Sequence, residues 1–341
     1  MRLTLVIIAL QCYGSLFGQS FILNQFFQPS LTTNAEYTFD RGKNNDNWSI
    51  GRLNSNLIIP VKSKLGVEMD WSKIFSIRSL KDVKNVAQIN AYQIFWTLRP
   101  QVSMLQYRPL APKQSPFADS TSLAYGVQTG ITGLHLLKKL RILFYTVNLG
   151  LQEDFKTLKG IKPYGTAILG VVNFNRLTYF WYYGVAINVS EGQRWPIMGA
   201  PFIGVDLKLA KKFWWNITLP VQTRFEWKPS KRLKFDAVAG FASNSWGFGN
   251  RNNLGAFDRH YVSGWQFRSG LAINIKTKRG TKFYLEGGYM PFRAFRFDQG
   301  RDNRPFQNPE NLQPAPYLAF SIYYGFKKSL LGSTVENFLN F

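Results

Sequence analysis

From Phe213 to Trp227 every odd position is apolar or threonine: Phe213, Trp215, Ile217, Leu219, Val221, Thr223, Phe225 and Trp227. From 216 the even positions are Asn216, Thr218, Pro220, Gln222, Arg224 and Glu226. Side chains of a strand alternate between its two faces, so this run predicts a strand that is apolar on one face and polar on the other. The alternation recurs through Tyr261, Ser263, Trp265, Phe267, Ser269, Leu271, Ile273 and Ile275, with Gly264, Gln266, Arg268, Gly270, Asn274 and Lys276 between them. It recurs again in Ile203, Val205, Leu207 and Leu209 against Gly204, Asp206 and Lys208. The longest runs are two to three times the roughly 5–6 residues usual for strands of soluble proteins. Trp215 and Phe225 stand ten residues apart on one face, which at ~3.3 Å per residue and ~40° tilt spans roughly 25 Å, the height of the apolar band of a membrane barrel. Phe213 with Trp215 would then mark one aromatic girdle, and Phe225 with Trp227 the other.

The pattern predicts strands near 31–41, 47–61, 65–77, 86–108, 120–138, 141–156, 160–174, 177–190, 197–209, 212–227, 232–247, 258–277, 281–297 and 313–327. The fold class this implies is all-β, a transmembrane antiparallel barrel of about fourteen strands within a range of 12–16. Connections 42–46, 77–85, 248–257 and 298–312 are expected to face outward, and the last two are rich in Asn, Gly, Asp and Pro, as surface loops are. Lys62-Ser63-Lys64, Pro229-Ser230-Lys231 and Lys278-Arg279-Gly280 are expected as inward turns. Under this count the connections near Lys138-Lys139 and Ala210-Lys211 also face outward, yet they are as tight as periplasmic turns. The last alternating run, Leu318 to Phe326, could close the barrel against the first strand. Beyond it a short tail either has helical spacing at Leu331, Val335, Phe338 and Leu339 or ends as an aromatic assembly signal at Phe341.

If the 212–247 hairpin turns about Ser230, Arg224 opposes Asp236 and Glu226 opposes Lys234 on the lumen face, while Phe225 meets Phe235 and Trp227 meets Leu233 on the lipid face. Opposite charges so placed favour the register modestly. The ladder Arg224, Glu226, Lys234 and Asp236 either pins the register and fills the interior or forms a charged constriction. Asp206, Lys208, Arg268, Lys276 and Glu286 are further lumen candidates. Catalysis is not expected. The chain has two histidines, and a His–Ser pair on one strand face must be two residues apart, whereas His260 and Ser263 are three apart. His135 stands between Leu134 and Leu136 with no serine beside it on its face. No Cys or His cluster offers a zinc site, and Asp298, Asp302 and Glu310 lack the ordered spacing of a calcium loop. No metal or cofactor is therefore expected.

Composition agrees with a barrel: aromatic residues make up 16% of the 341 and glycine is abundant at 28. Residues 1–18 have the form of a secretory signal, with Arg2 followed by the apolar run Leu3 to Leu10. That run is too short for a spanning helix. The organisation expected is a signal at 1–18 and one barrel domain at 19–341 with a short C-terminal tail. Cys12, the one cysteine, lies in the signal, so no disulfide holds the mature chain. A net charge of +23 would suggest nucleic acid, but export excludes that partner and favours outer-membrane lipids and lipopolysaccharide. Barrel-assembly machinery and other envelope proteins complete the expected partners.

The segment Arg194-Trp195-Pro196-Ile197, Gly204-Val205-Asp206, Lys212-Phe213-Trp214, Leu219-Pro220, Phe225-Glu226-Trp227 and Lys231-Arg232-Leu233 resembles uncharacterised outer-membrane barrel proteins of Bacteroidota. The resemblance implies a single barrel in the outer membrane of a Gram-negative bacterium and carries over no functional residues. Three functions are compatible with these features: a pore or small-solute binding barrel with a charged lumen, a non-enzymatic accessory subunit of an outer-membrane assembly or secretion complex, and an outer-membrane lipid-modifying enzyme, which the His–Ser spacing disfavours.

Overall fold

A computed structural model of the chain describes residues 29–39, 47–69, 87–108, 121–137, 141–153, 161–176, 179–190, 197–251, 257–278, 280–299 and 310–326. The predicted signal, the loop 42–46, the segment 77–85 and the C-terminal tail lie outside them. Fifteen strands follow in order: β1 (Ser30–Thr38), β2 (Asn47–Met69), β3 (Ala87–Arg108), β4 (Thr121–Leu137), β5 (Arg141–Glu153), β6 (Lys162–Arg176), β7 (Tyr179–Ser190) and β8 (Ile197–Ala210). They continue as β9 (Phe213–Leu219), β10 (Gln222–Trp227), β11 (Leu233–Arg251), β12 (Phe257–Lys276), β13 (Lys282–Gln299), β14 (Glu310–Leu312) and β15 (Ala315–Gly325). Each strand up to β13 pairs antiparallel with its successor, β14 and β15 both lie along β13, and β15 returns to β1. Because β14 and β15 are two pieces of one strand interrupted at Gln313-Pro314, the fifteen elements fill fourteen positions of a closed antiparallel barrel. Closure leaves no unpaired sheet edge.

The expected number of strands is met, but through two offsetting differences. The run 212–227 is a hairpin, in which Phe213 pairs with Trp227, Trp215 with Phe225 and Thr218 with Gln222. Proline has no N–H to give to a central ladder, and Pro220 sits at this turn, where Val221 N donates to Thr218 O at 2.7 Å. Three residues separate Thr218 from Gln222, an odd number, so odd positions stay on the outer face on both strands. The alternation therefore runs through the turn unbroken and hides it. Conversely, Lys62-Ser63-Lys64 is no turn: β2 continues to Met69 along β3, absorbing Val61 as a bulge between Pro60 and Lys62. The predicted strands 47–61 and 65–77 are one strand as far as 69.

These corrections also reassign the ends of the barrel. β4, β6, β8, β10 and β12 finish, and β5, β7, β9, β11 and β13 begin, at the end where β1 starts and β15 finishes, here the turn end. β3, β5, β7, β11 and β13 finish, and β4, β6, β8, β12 and β14 begin, at the opposite, loop end. The short connections near Lys138-Lys139 and Ala210-Lys211 thus fall on the side where short turns belong. The predicted loops 248–257 and 298–312 are shorter than expected, because β11 runs to Arg251, β12 begins at Phe257 and β13 runs to Gln299.

Outward positions carry the lipid belt, from Leu149, 67% exposed, to Leu271, 72% exposed. Two indole N–H groups in this belt are satisfied across the ladder, Trp96 by Thr129 Oγ1 and Trp215 by Thr223 Oγ1, each at 2.8 Å. Hydrocarbon would leave them without a partner. Inward positions are polar on many strands, but β3 to β8 also bring Phe95, Leu134, Phe144, Ile168, Phe180 and Phe202 to the buried side. Glycines on the same face let large side chains lie flat against the wall. Tyr182 crosses Gly204 to reach Thr218 Oγ1, and the Phe144 and Phe202 rings, 6.2 Å apart, meet over Gly170 and Gly184.

Gly130 is among the tightest such sites. It stands between Thr97 and Asn148 in the ladder, and Thr97 Oγ1 donates across it to Asn148 Oδ1 at 2.9 Å. A Cβ there would fall on the Val147 carbonyl oxygen and on Asn148. Gly130→Val is expected to cost about 3 kcal/mol, at the upper end for overpacking, measured by urea unfolding from lipid vesicles. A loss within experimental error would show that this wall yields.

The interior is filled rather than hollow. A circular barrel of fourteen strands would be roughly 28 Å across. β4 and β11 stand seven positions apart in either direction around the ring, yet Cα atoms of β11 come within 8 Å of β4 and of β5. Opposite walls meet.

Candidate functional site: the interior charge network

Hairpin β10–β11 positions the first part of the network. Its register places Glu226 opposite Asp236, Trp227 opposite Phe235 and Phe225 opposite Ala237, displaced by two residues from the expected pairing. The cause is in the turn: Ser230 Oγ accepts from Arg232 N at 3.3 Å and Leu233 N at 3.1 Å, so the turn centres on Lys231 instead of Ser230. A one-residue shift of centre moves each partner by two and leaves every side chain on its predicted face. Long side chains then recover the expected ion pairs along the diagonal. Arg224 Nη1 lies 3.1 Å from Asp236 Oδ2, and Lys234 Nζ lies 2.9 Å from Glu226 Oε1 and 3.1 Å from Asp236 Oδ2. Lys228 Nζ adds a contact to Glu226 Oε2 at 3.1 Å. Asn274 Nδ2 donates to Asp236 Oδ2 at 2.8 Å, so that oxygen is the hub.

The other predicted lumen residues lie on β8, β12 and β13. Asp206 accepts from Asn216 Nδ2 at 2.9 Å. Arg268 faces Glu286 at 3.9 Å and Glu36 at 3.6 Å, and Glu286 also accepts from Tyr317 Oη at 2.6 Å and from Tyr284 Oη. The Arg224 guanidinium lies 5.7 Å from the Tyr284 ring centroid and so links the two clusters. Lys208 lies instead over the Trp214 ring, and Lys276 sits opposite Lys282 at the turn end. Glu36 and Tyr317 owe their contacts to the pairing of β13, β15 and β1, which join residues far apart in the chain, whereas Tyr284 lies two residues from Glu286 on the same face of β13. The alternation of β1 alone would have marked Glu36 as an inward acid.

The aromatic girdle needs the plainest correction. Phe213, Trp215, Phe225 and Trp227 do not span the membrane but cluster at one interface. Phe213 lies 5.7 Å from Phe225 and 6.3 Å from Trp227, which stacks on Phe235 at 5.3 Å. The hairpin folds the two expected girdles onto each other. His135 faces outward too, stacked between Tyr92 at 5.6 Å and Tyr145 at 5.7 Å, a belt position. The side chains of His260, Ser263, Asp298 and Glu310, and Asp302 as a whole, lie outside the described ones. Among the described residues no group of three or more His, Cys, Asp or Glu side chains could hold a metal ion.

Chemically this is a network of ion pairs engaged with one another and with amide and phenol donors. It bridges neighbouring strands on the inner face of the barrel. Gln266, 2% exposed beside Arg268, has no hydrogen-bond partner for either amide atom among the described residues.

Among solved structures the chain is similar to the β domain of the Bordetella autotransporter BrkA, with a TM-score of 0.33 and 8% identity over 88% of this chain and 100% of that one. It is similar also to OmpT, an outer membrane protein of Vibrio cholerae, with a TM-score of 0.28 and 8% identity over 87% and 96% of the two chains. OccAB4 of Acinetobacter baumannii gives 0.24 and 9% over 88% and 98%. These are likenesses of fold alone. No curated protein matches the chain. A family model described as a domain of unknown function, DUF6268, matches residues 103–325, from β3 through β15, and the chain belongs to that family.

Proposed function

We propose that this protein is a barrel in the outer membrane of a Gram-negative bacterium that is closed to free passage of solute and serves, without catalysis, as an accessory subunit of an envelope complex. The approach of β11 to β4 and β5 across the interior supports this reading most directly. The buried aromatic cluster and the interior ion pairs act in the same sense. His135 is taken up by its tyrosine neighbours in the outer belt, which agrees with a non-enzymatic role.

In planar bilayers the purified protein is expected to give no step-like conductance, and affinity purification from native detergent extracts is expected to retain an envelope partner. Regular conductance steps in most insertions would overturn the closed reading. They would favour the second one, a pore constricted by the charge ladder, for which the location of Arg224 and Asp236 on the inner face speaks. In that case Asp236→Lys should shift ion preference towards anions.

A further inference from the structure

We propose that the interior of the barrel holds a binding site for the carboxylate group of a small organic acid, with the guanidinium of Arg99 on β3 as its principal ligand and Arg52 on β2 and the Tyr164 hydroxyl on β6 beside it. This goes beyond the closed-barrel function and needs only that solute reaches the interior from one end.

Arg99 is a cation that the fold turns inward without giving it a counter-charge. Odd positions of β3 face the interior, where Thr97 and Ser103 are buried, while Trp96 and Pro100 are exposed on the outer face. Arg99 stands opposite Gln128 in the ladder, and Gln128 Nε2 donates away from it to Thr166 Oγ1 at 3.4 Å. The groups within electrostatic reach of Arg99 are a second arginine, Arg52, and the phenol of Tyr164. Among the described residues it has no hydrogen bond or ion pair. Arg52 stands opposite Glu36, which Arg268 also approaches at 3.6 Å, and Arg268 in turn reaches Glu286. Among the described residues of this cluster, the guanidiniums of Arg52, Arg99 and Arg268 therefore face the carboxylates of Glu36 and Glu286 alone. A cation held inside a protein without an anion is unfavourable, and a monoanion at Arg99 would offset the surplus.

The donors select the anion. Arg99 and Arg52 are half-buried on the inner face, so each borders space that the packed interior leaves open. A guanidinium presents a planar fork of N–H donors that matches a carboxylate. Tyr164 Oη accepts from Gln101 Nε2 at 3.1 Å, which leaves its own proton to donate to an anion. The Tyr164 ring lies over Gly150 and the Gln101 amide over Gly126, where a Cβ would strike them, so both side chains lie against the wall instead of filling the space beside Arg99. The surplus of one positive charge fits a carboxylate, whereas a phosphate dianion would leave the site negative. Two residues from Arg268, the buried Gln266 keeps both amide atoms without a partner among the described residues, so polar capacity around this cluster is not used up within the protein.

Titration of the folded full chain in detergent micelles with isotope-labelled acetate at constant ionic strength tests this, read by broadening of the acetate resonance in nuclear magnetic resonance. The wild type should broaden the resonance saturably. Arg99→Gln should weaken binding by roughly tenfold or more, the range for losing hydrogen bonds to a charged group. Arg99→Lys keeps the charge but not the fork and should fall between the two. In urea titrations acetate should raise the unfolding midpoint of the wild type and leave that of Arg99→Gln unchanged, and heat-modifiable mobility on gels reports that each variant is folded. Absence of saturable binding, an Arg99→Gln variant that binds as the wild type does, or displacement of acetate by chloride as readily as by formate, which would mean charge attraction without recognition of a carboxylate, would each overturn the proposal. Step-like conductance in planar bilayers would instead refute the closed barrel and leave the outcome of the titration untouched.

Discussion

Asp236→Ala is expected to cost about 4 kcal/mol of unfolding free energy, in the range for removing one partner of a buried pair, whereas Arg224→Ala should cost only about 2 kcal/mol. The asymmetry follows from the hub. Without Asp236, the buried Arg224 loses the carboxylate that its Nη1 contacts, and Lys234 and Asn274 lose one as well. Without Arg224, Asp236 keeps Lys234 at 3.1 Å and Asn274 at 2.8 Å. Urea unfolding from phospholipid vesicles, followed by tryptophan fluorescence, compares the two. Equal losses would mean that the network is not organised around Asp236, and losses below about 1 kcal/mol would place these pairs in the class of solvent-screened surface bridges.

Phe144→Ala is expected to cost 3–5 kcal/mol, roughly the range for emptying a buried aromatic site. Phe144 is 1% exposed, and its ring bears on Phe202 over two glycines that offer no side chain to fill the gap. Collapse into the cavity is therefore limited and the penalty should be near its upper end. The same variant tests the closed lumen. If the aromatic cluster helps to occlude the barrel, Phe144→Ala in planar bilayers should show brief openings where the wild type is silent. Loss of stability without openings would assign the cluster to packing alone and leave occlusion to the approach of β11.

Much of this architecture can be read from local alternation. Odd positions from Phe213 to Leu219 and from Thr223 to Trp227 face outward, Val221 at the turn between them is buried, and Asp206, Arg224, Glu226, Asp236, Arg268 and Glu286 are all on the inner face. The direction of a side chain depends only on its own strand, which has a period of two. Partners are less legible. The Ser230 turn displaced the β10–β11 register by one pair, and the ion pairs survived because lysine and arginine can reach diagonally. Strand boundaries are least legible where a connection preserves parity. The three residues between Thr218 and Gln222 leave the pattern intact, so the clearest aromatic spacing in the chain belongs to a hairpin and not to a membrane span. Pro220 was the available signal.

Face, class and approximate strand number are thus written into neighbouring residues, because each is the repetition of a local backbone geometry. Ring closure of β15 on β1, the meeting of Arg268 with Glu36 and the approach of β11 to β4 join residues far apart in the chain, and no local pattern encodes them. The abundant glycine counts in sequence as mere β composition. In the folded barrel it becomes the space over which Tyr182, Phe144 and Thr97 reach their partners, since only the neighbouring strand reveals what a missing Cβ makes room for.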